Sequence, residues 1–354
     1  MFGASRFRLS SLLKIGLSSL CLAFMFASCG TGGAAAPVVP RAAEPEWTRA
    51  SGLHPGFNSN IYLTAPGHGS SRQAAELDAF RSLVSIFGVM VQADIRLAEM
   101  YRRTGAVSTH DFAFGQEIIL GAGMDNLVGA EIGDRWDDGR GHHVALAVLN
   151  RRRAIQIYSE MIRSNLELID NLTNMSPAER NTFSGFSRYQ FAAAIADMNA
   201  NYAAVLSVVG APVQGLRSGD DFRRGAQEIA SAIPVGINVN NDRAERIQGA
   251  FARTFTDLGF RTGGGHQRYM LEVNMVILPT DHAGQNVFSR MELSANLIDT
   301  NTATVLLPFN FNVREGHRTQ SEAENRVFLV AEQRIYREYG DMLSDFLFQL
   351  IPGR

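Results

Sequence analysis

Few residues of this 354-residue chain have the type and spacing to do chemistry, and the first of them is a thiol. Cys29 lies in FMFASCGTGG, between the end of an apolar run and a string of small residues, where it is placed to be covalently modified. GHGSS at 67–71 and GAGMDN at 121–126 are glycine-rich turns of the kind that can present backbone amides to an anion, but neither GxGxxG nor GxxxxGK[ST] accompanies them. Asp134, Asp137 and Asp138 could supply oxygen ligands to calcium, yet the loop spacing with its closing Glu is missing. His142 and His143 are adjacent, so in a strand they point to opposite faces and do not chelate one ion. There is no GxSxG and no HExxH, and Glu315 with His317, or His266 after three glycines, fits no catalytic pattern. The turns are therefore read as close packing and the aspartates as a solvated hairpin tip. No catalytic, cofactor-binding or metal residue is assigned.

The elements around Cys29 explain its position. Arg6, Arg8 and Lys14 precede an uncharged run from Ile15 to Ala27, the layout of an export signal. That run is shorter than the ~20 apolar residues that cross a bilayer as a helix, so the segment is expected to be removed. Ala27 and Ser28, the small pair before the sulfur, resemble the lipobox of bacterial lipoproteins, in which the cysteine receives a diacylglycerol and the chain is cut in front of it. Phe26 stands where that pattern usually has Leu, and the rival Cys21 follows the larger Leu20. The resemblance implies a signal peptide over 1–28, a lipidated Cys29 and attachment to a membrane through acyl chains, each buried methylene contributing about 0.8 kcal/mol. Gly30 in place of Asp resembles the sorting rule that sends lipoproteins to the outer membrane, facing the periplasm or the surface.

Composition narrows the function further. The chain has 33 basic and 35 acidic residues, net −2, and loss of the signal's three basic residues takes the balance to −5. This lacks the basic footprint that nucleic-acid binding needs. Only two cysteines exist, and one leaves with the signal, so disulfides and thiol redox chemistry are excluded from the mature chain. No segment after the signal reads as a membrane span.

Residues 30–44 are rich in Gly, Ala and Pro and read as a flexible linker. Folded sequence is expected from Pro45-Glu46-Trp47, with Trp47 in a core. Over 72–87, Leu77, Phe80, Val84 and Phe87 recur at helical spacing and predict one buried face, with Ser70 or Ser71 as N-cap. Val89 to Leu97 alternates as a strand does, and 108–121 has a weak helical preference. LVGAEIGDRWDDGRGHHVALAVLN reads as two strands around Asp138-Gly139, and Arg151 opens a helix to about Asn174. The triplet Arg151, Arg152 and Arg153 could touch anionic headgroups, but Glu160, Glu167 and Asp170 on the same helix favour ordinary ion pairing.

Ser176-Pro177-Ala178-Glu179 has the spacing of a capping box and predicts a packed helix to Val209, stopped by Gly210 and Pro212. From Ile233 an alternating strand, a helix capped by Asn241 or Asp242, three strands at 268–278, 287–299 and 303–313, and a closing helix from Gln320 to Leu350 are expected. The fold class is α+β: a sheet-plus-helix domain over 45–175, a helical connector over 176–231 that includes the second arm of a helical hairpin, and a second α+β domain over 232–354.

The run from Pro45 and Trp47, through Gly67, Gly69, Ala75, Ala79 and Leu83, to Trp136, Asp138 and Gly141 resembles the bacterial LPP-twenty-like lipoprotein family, which is related in plan to the N-terminal domain of flagellar assembly protein T. The resemblance covers roughly 45–170. It implies a cell-envelope lipoprotein of non-enzymatic role, a binding or assembly module with protein partners in a surface appendage, export system or envelope complex. The alternatives are an envelope hydrolase, whose acids would meet only in the fold, or a carrier of a small apolar ligand.

Overall fold

HVALAVLN is apolar without alternation, a pattern that requires cover on both faces of a strand. The computed structural model describes residues 43–87, 127–242, 244–263, 267–283 and 286–352. In it, that run is the middle strand of an antiparallel sheet in which β1 (Tyr62–Gly69) and β2 (Ala130–Asp137) flank β3 (His143–Asn150). Ala145, Ala147 and Leu149 face the helices. Val144, Leu146 and Val148 face Trp47, Phe57 and Trp136, so the segment before β1 forms a strap over the second face. Trp47 is 3% exposed and belongs to this small core.

Helix α1 (Arg72–Ser85) starts at Ser71, whose side chain accepts a hydrogen bond from the Ala74 amide. Its deepest face is not the expected stripe. Ala75, Ala79 and Leu83 are buried, whereas Leu77, Phe80 and Val84 are only half-buried; Phe87, just past the helix, is buried as expected. The cause is the approach to β1: a Cβ on Gly69 would come within 2.5 Å of the Ala75 nitrogen, and one on Gly67 would collide with the Ala79 backbone. At that distance only alanine fits beneath the helix. The signal, Cys29, the linker to residue 42, the strand expected over 89–97 and the element over 108–121 lie outside the described residues.

Helix α2 (Arg151–Thr173) follows β3 directly, its first turn capped by the Asn150 side chain. Ser176 and Glu179 do form the reciprocal capping box, with Pro177 at the first helical position, but they open a single turn, Pro177–Arg180. The long helix α3 (Phe183–Val209) has its own cap, Thr182, which accepts from the Gly185 amide and redirects the chain. α2 and α3 run antiparallel: Tyr158 meets Tyr202, the Asn165 amide donates to Asn199 Oδ1 at 2.8 Å, and Arg188 donates to the carbonyls of Leu172 and Asn171 that end α2. Gly210, left-handed at φ +95°, terminates α3.

By length and composition α3 could cross a membrane, contrary to the expectation that no later segment would, but more than half of its apolar window is buried inside the protein. A helix that is apolar all round belongs in an interior. Here its first turns, Phe183 and Phe186, enter the core of the larger sheet, and Phe191 to Val209 pack in the core of the smaller one.

The chain continues through α4 (Gly219–Ala232), β4 (Pro234–Asn240), α5 (Arg246–Thr256) and β5 (Arg261–Gly263) to the long strands β6 (Tyr269–Ala283), β7 (Asn286–Asp299) and β8 (Thr304–His317). The five strands order as β5-β4-β6-β7-β8, with β4 parallel to both neighbours and the rest antiparallel. Asp242 caps α5 by accepting from the amides of Arg246 and Gln248. The closing helix is α6 (Gln320–Arg334) and α7 (Gly340–Gln349), joined through one π turn, Ile335–Tyr339. The three expected strands are present, and the short β5 is an addition to them. The architecture is α+β with two sheets.

Candidate binding face

Through their central residues strands β6, β7 and β8 alternate, because only one side of their sheet is covered. Leu271, Val273, Met275, Leu293, Ala295, Phe309 and Phe311 are buried against Phe251, Phe255, Val327 and Tyr339 of the helices. The intervening residues point the other way. Register aligns them into transverse rows: Asn240 beside Asn274, then Ser294, then Asn310, and next to it Asn238, Glu272, Asn296 and Pro308. Asn238, Asn240, Glu272, Asn274 and Asn310 are exposed, and the Asn240 amide donates to Asn274 Oδ1 at 2.8 Å. Each carboxamide carries donors and acceptors, and strands repeat laterally at about 4.8 Å. The face can therefore hydrogen-bond a broad polar surface in either sense. Pro308 on the edge strand β8 lacks an N–H, which blunts strand addition at that edge.

The residues singled out from sequence have structural occupations. Asp138 Oδ1 accepts from the amides of Arg140 and His142, and Asp137 Oδ1 from Gly139, so both carboxylates shape the hairpin turn. Asp134 Oδ2 lies 2.9 Å from His54 Nε2, while the Gly56 amide donates to His54 Nδ1; the imidazole thus donates from Nε2 and ties the strap to β2. His142 stacks on His68 with ring centroids 5.5 Å apart. Among the described residues no group of three or more His, Cys, Asp or Glu is arranged to hold a metal ion. In the GHGSS turn the His68 amide already donates to the Asp78 carboxylate at 2.8 Å.

Arg151 donates to the carbonyls of Ser59 and Val208, and Arg152 and Arg153 stand exposed. The ion pairing expected of the triplet falls instead to Arg163, which bonds Glu160 and Glu167. Its hydrogen bonds to Arg163 hold the Glu160 carboxyl below the usual glutamate range. His317 ends β8 with Nδ1 buried and without a hydrogen-bond partner among the described residues, and His266 lies outside them. The amide rows escaped the sequence reading because they exist only in register. The alternation that carries them, LEVNM, ELSANLI and PFNFNV, was visible.

The fold is thus an α+β pair of sheets with one hydrogen-bonding face left open. No family model matches the chain and no curated protein matches it. Similar solved structures include a secreted protein of Helicobacter pylori, at 13% identity and TM-score 0.43, covering 78% of this chain and 98% of that one. A minor lipoprotein of Acinetobacter baumannii is similar at 12% identity and TM-score 0.25, covering 30% of this chain and 92% of its own. A lipoprotein of Neisseria meningitidis is similar at 12% identity and TM-score 0.21, covering 28% and 96%. At such identities and scores no role passes from them to this chain.

Proposed function

We propose that the protein is a lipid-anchored component of the cell envelope, held at the outer membrane, that works as a non-enzymatic binding or assembly module with a protein partner. The observation that carries the non-enzymatic half is where its carboxylates are. Asp134, Asp137, Asp138, Asp242 and Asp299 are engaged in turns, caps or ion pairs, and the larger sheet leaves a broad, mostly polar face open for a partner. The anchor rests on Cys29 and the small residues before it. The likeness of the Gly67, Gly69, Ala75, Ala79 and Leu83 set to LPP-twenty-like lipoproteins points the same way, since its glycines and alanines form the close approach of β1 to α1 and its Leu83 is buried.

The test is intact mass and membrane fractionation of the native protein beside Cys29→Ala, followed by sedimentation of the detergent-solubilised native protein. We expect an acyl mass on a chain beginning at Cys29, an envelope location lost or left uncleaved in the variant, and a particle heavier than the monomer that Asn296→Arg with Asn310→Arg dissociates. A native chain without acyl mass defeats the anchor. A particle of monomer mass in envelope extracts defeats the assembly role.

A further inference from the structure

A groove of about 350 Å³ lies between the start of α3 and the first turns of α4, away from the amide face. Its lining concentrates cations on a chain whose net charge is −2: Arg180, Arg217 and Arg224 stand against Asp221 and Glu228, around the ring of Tyr189. Two of the three arginines lie over aromatic faces. The Arg217 guanidinium sits 4.0 Å above the Phe222 ring and makes no ion pair among the described residues. The Arg180 guanidinium lies 5.4 Å from the Tyr189 centroid, touches Glu228 only at 3.4 Å, and keeps a buried Nε with no hydrogen-bond partner among the described residues.

Stacking fixes the plane of a guanidinium while leaving its N–H edge free to donate, the arrangement that suits bidentate recognition of phosphate oxygens. Gly225 makes the floor possible, because a Cβ there would come within 2.7 Å of the Tyr189 ring. The two acids weigh less than their count. Asp221 is committed to the Ser218 amide and hydroxyl and to Arg224, and those Ser218 bonds hold its carboxyl below the usual range. Glu228 is 70% exposed and free to swing aside.

We infer that this groove binds a phosphate monoester, with Arg180 and Arg217 as the principal ligands, Arg224 as the third cation and Tyr189 as the floor. The same chemistry is offered by a soluble phosphorylated metabolite and by a phosphomonoester lipid headgroup. Equilibrium dialysis of the full chain against inorganic phosphate tests the shared chemistry, and flotation with phosphatidylcholine vesicles, with and without phosphatidic acid, separates the sources. Loss of one charge-assisted contact should weaken binding about tenfold in Arg180→Gln and in Arg217→Gln. Arg163→Gln, an exposed ion-paired arginine elsewhere, should leave binding unchanged. Phosphate binding without a phosphatidic acid preference assigns a soluble monoester; vesicle capture that needs phosphatidic acid and both arginines assigns a headgroup. The inference fails if neither arm shows saturable binding, or if Arg163→Gln loses as much as the groove variants.

Discussion

The two sheets answer the same problem in opposite ways. The three-stranded sheet is covered on both faces, by α1 and α2 on one side and by the Trp47 strap on the other, and its middle strand is apolar at six consecutive positions. The five-stranded sheet is covered on one face only, and its three long strands alternate between core residues and outward residues that are mostly polar, Asn274, Asn296 and Asn310 among them. The number of covered faces, more than strand propensity, sets the composition of a strand. The smaller sheet is thus built inward, and the larger one keeps a surface free for contact.

The strap gives the largest way to break this contrast. Trp47→Ala should cost about 3–5 kcal/mol, the range for truncating a buried large aromatic side chain, and should expose Val144, Leu146 and Val148 together. Urea unfolding of native and variant measures it. A loss below 1 kcal/mol would mean that the strap is decoration and the smaller sheet one-sided like the larger. Gly67→Ala should follow at about 1–3 kcal/mol, because the added methyl meets the Ala79 backbone, which cannot move without lifting α1. The same substitution at Gly249, on α5 with open space around its Cβ, should be neutral or stabilising.

In the larger core the informative change is stabilising. Tyr339 is fully buried on the π turn, 5.0 Å from Phe251 and 5.4 Å from Phe309 between ring centroids, and its hydroxyl has no partner among the described residues. Burial pushes its ionisation well above the usual tyrosine range. Tyr339→Phe should raise the melting temperature, by an amount equivalent to about 1 kcal/mol, since it removes a desolvated polar group and keeps the packing. A fall would show that the hydroxyl is satisfied by something the core admits, such as water.

Acid should separate the sheets too. Glu76 on α1 is bound by Arg135 on β2 and by Arg72, which hold its carboxyl below the ordinary glutamate range. A depressed carboxylate contributes stability that is fully present above its unfolded pKa and is lost as pH falls through the lower, folded value. Stability should therefore decline from the ordinary glutamate range downward, and Glu76→Gln should flatten that part of the profile. Glu76 and both arginines keep contact with solvent, so the effect is small. An unchanged profile in the variant would assign the acid loss elsewhere.

Much of this was legible before any coordinates. The hairpin around Asp138-Gly139, the long strands after 268, the Gly210 stop and the Ser176 box follow from turn chemistry and period, which are local. The buried face of α1 did not follow, because hydrophobicity ranks Leu77 and Phe80 above Ala75 and Ala79. Only the proximity of the two glycines on β1 explains why small residues lie deepest. The amide rows and the arginine groove were also invisible, since each gathers residues whose adjacency depends on register or on helix packing.

The smallest expected effect on stability is the sharpest test of the contrast. If the open face is kept polar for contact and not for folding, Asn274→Thr and Asn310→Thr should each stay within about 0.5 kcal/mol of native, as exposed substitutions do. Threonine suits a strand better than asparagine, so the change could even be favourable. Ala147→Thr on β3, in the sheet covered on both faces, should instead destabilise, because its hydroxyl would be buried among Leu149, Ala79 and their neighbours without a partner. Equal tolerance at both sites would erase the distinction. Intolerance of the Asn variants would show that the amide rows belong to the fold, and a contact role for the face would then lose its physical basis.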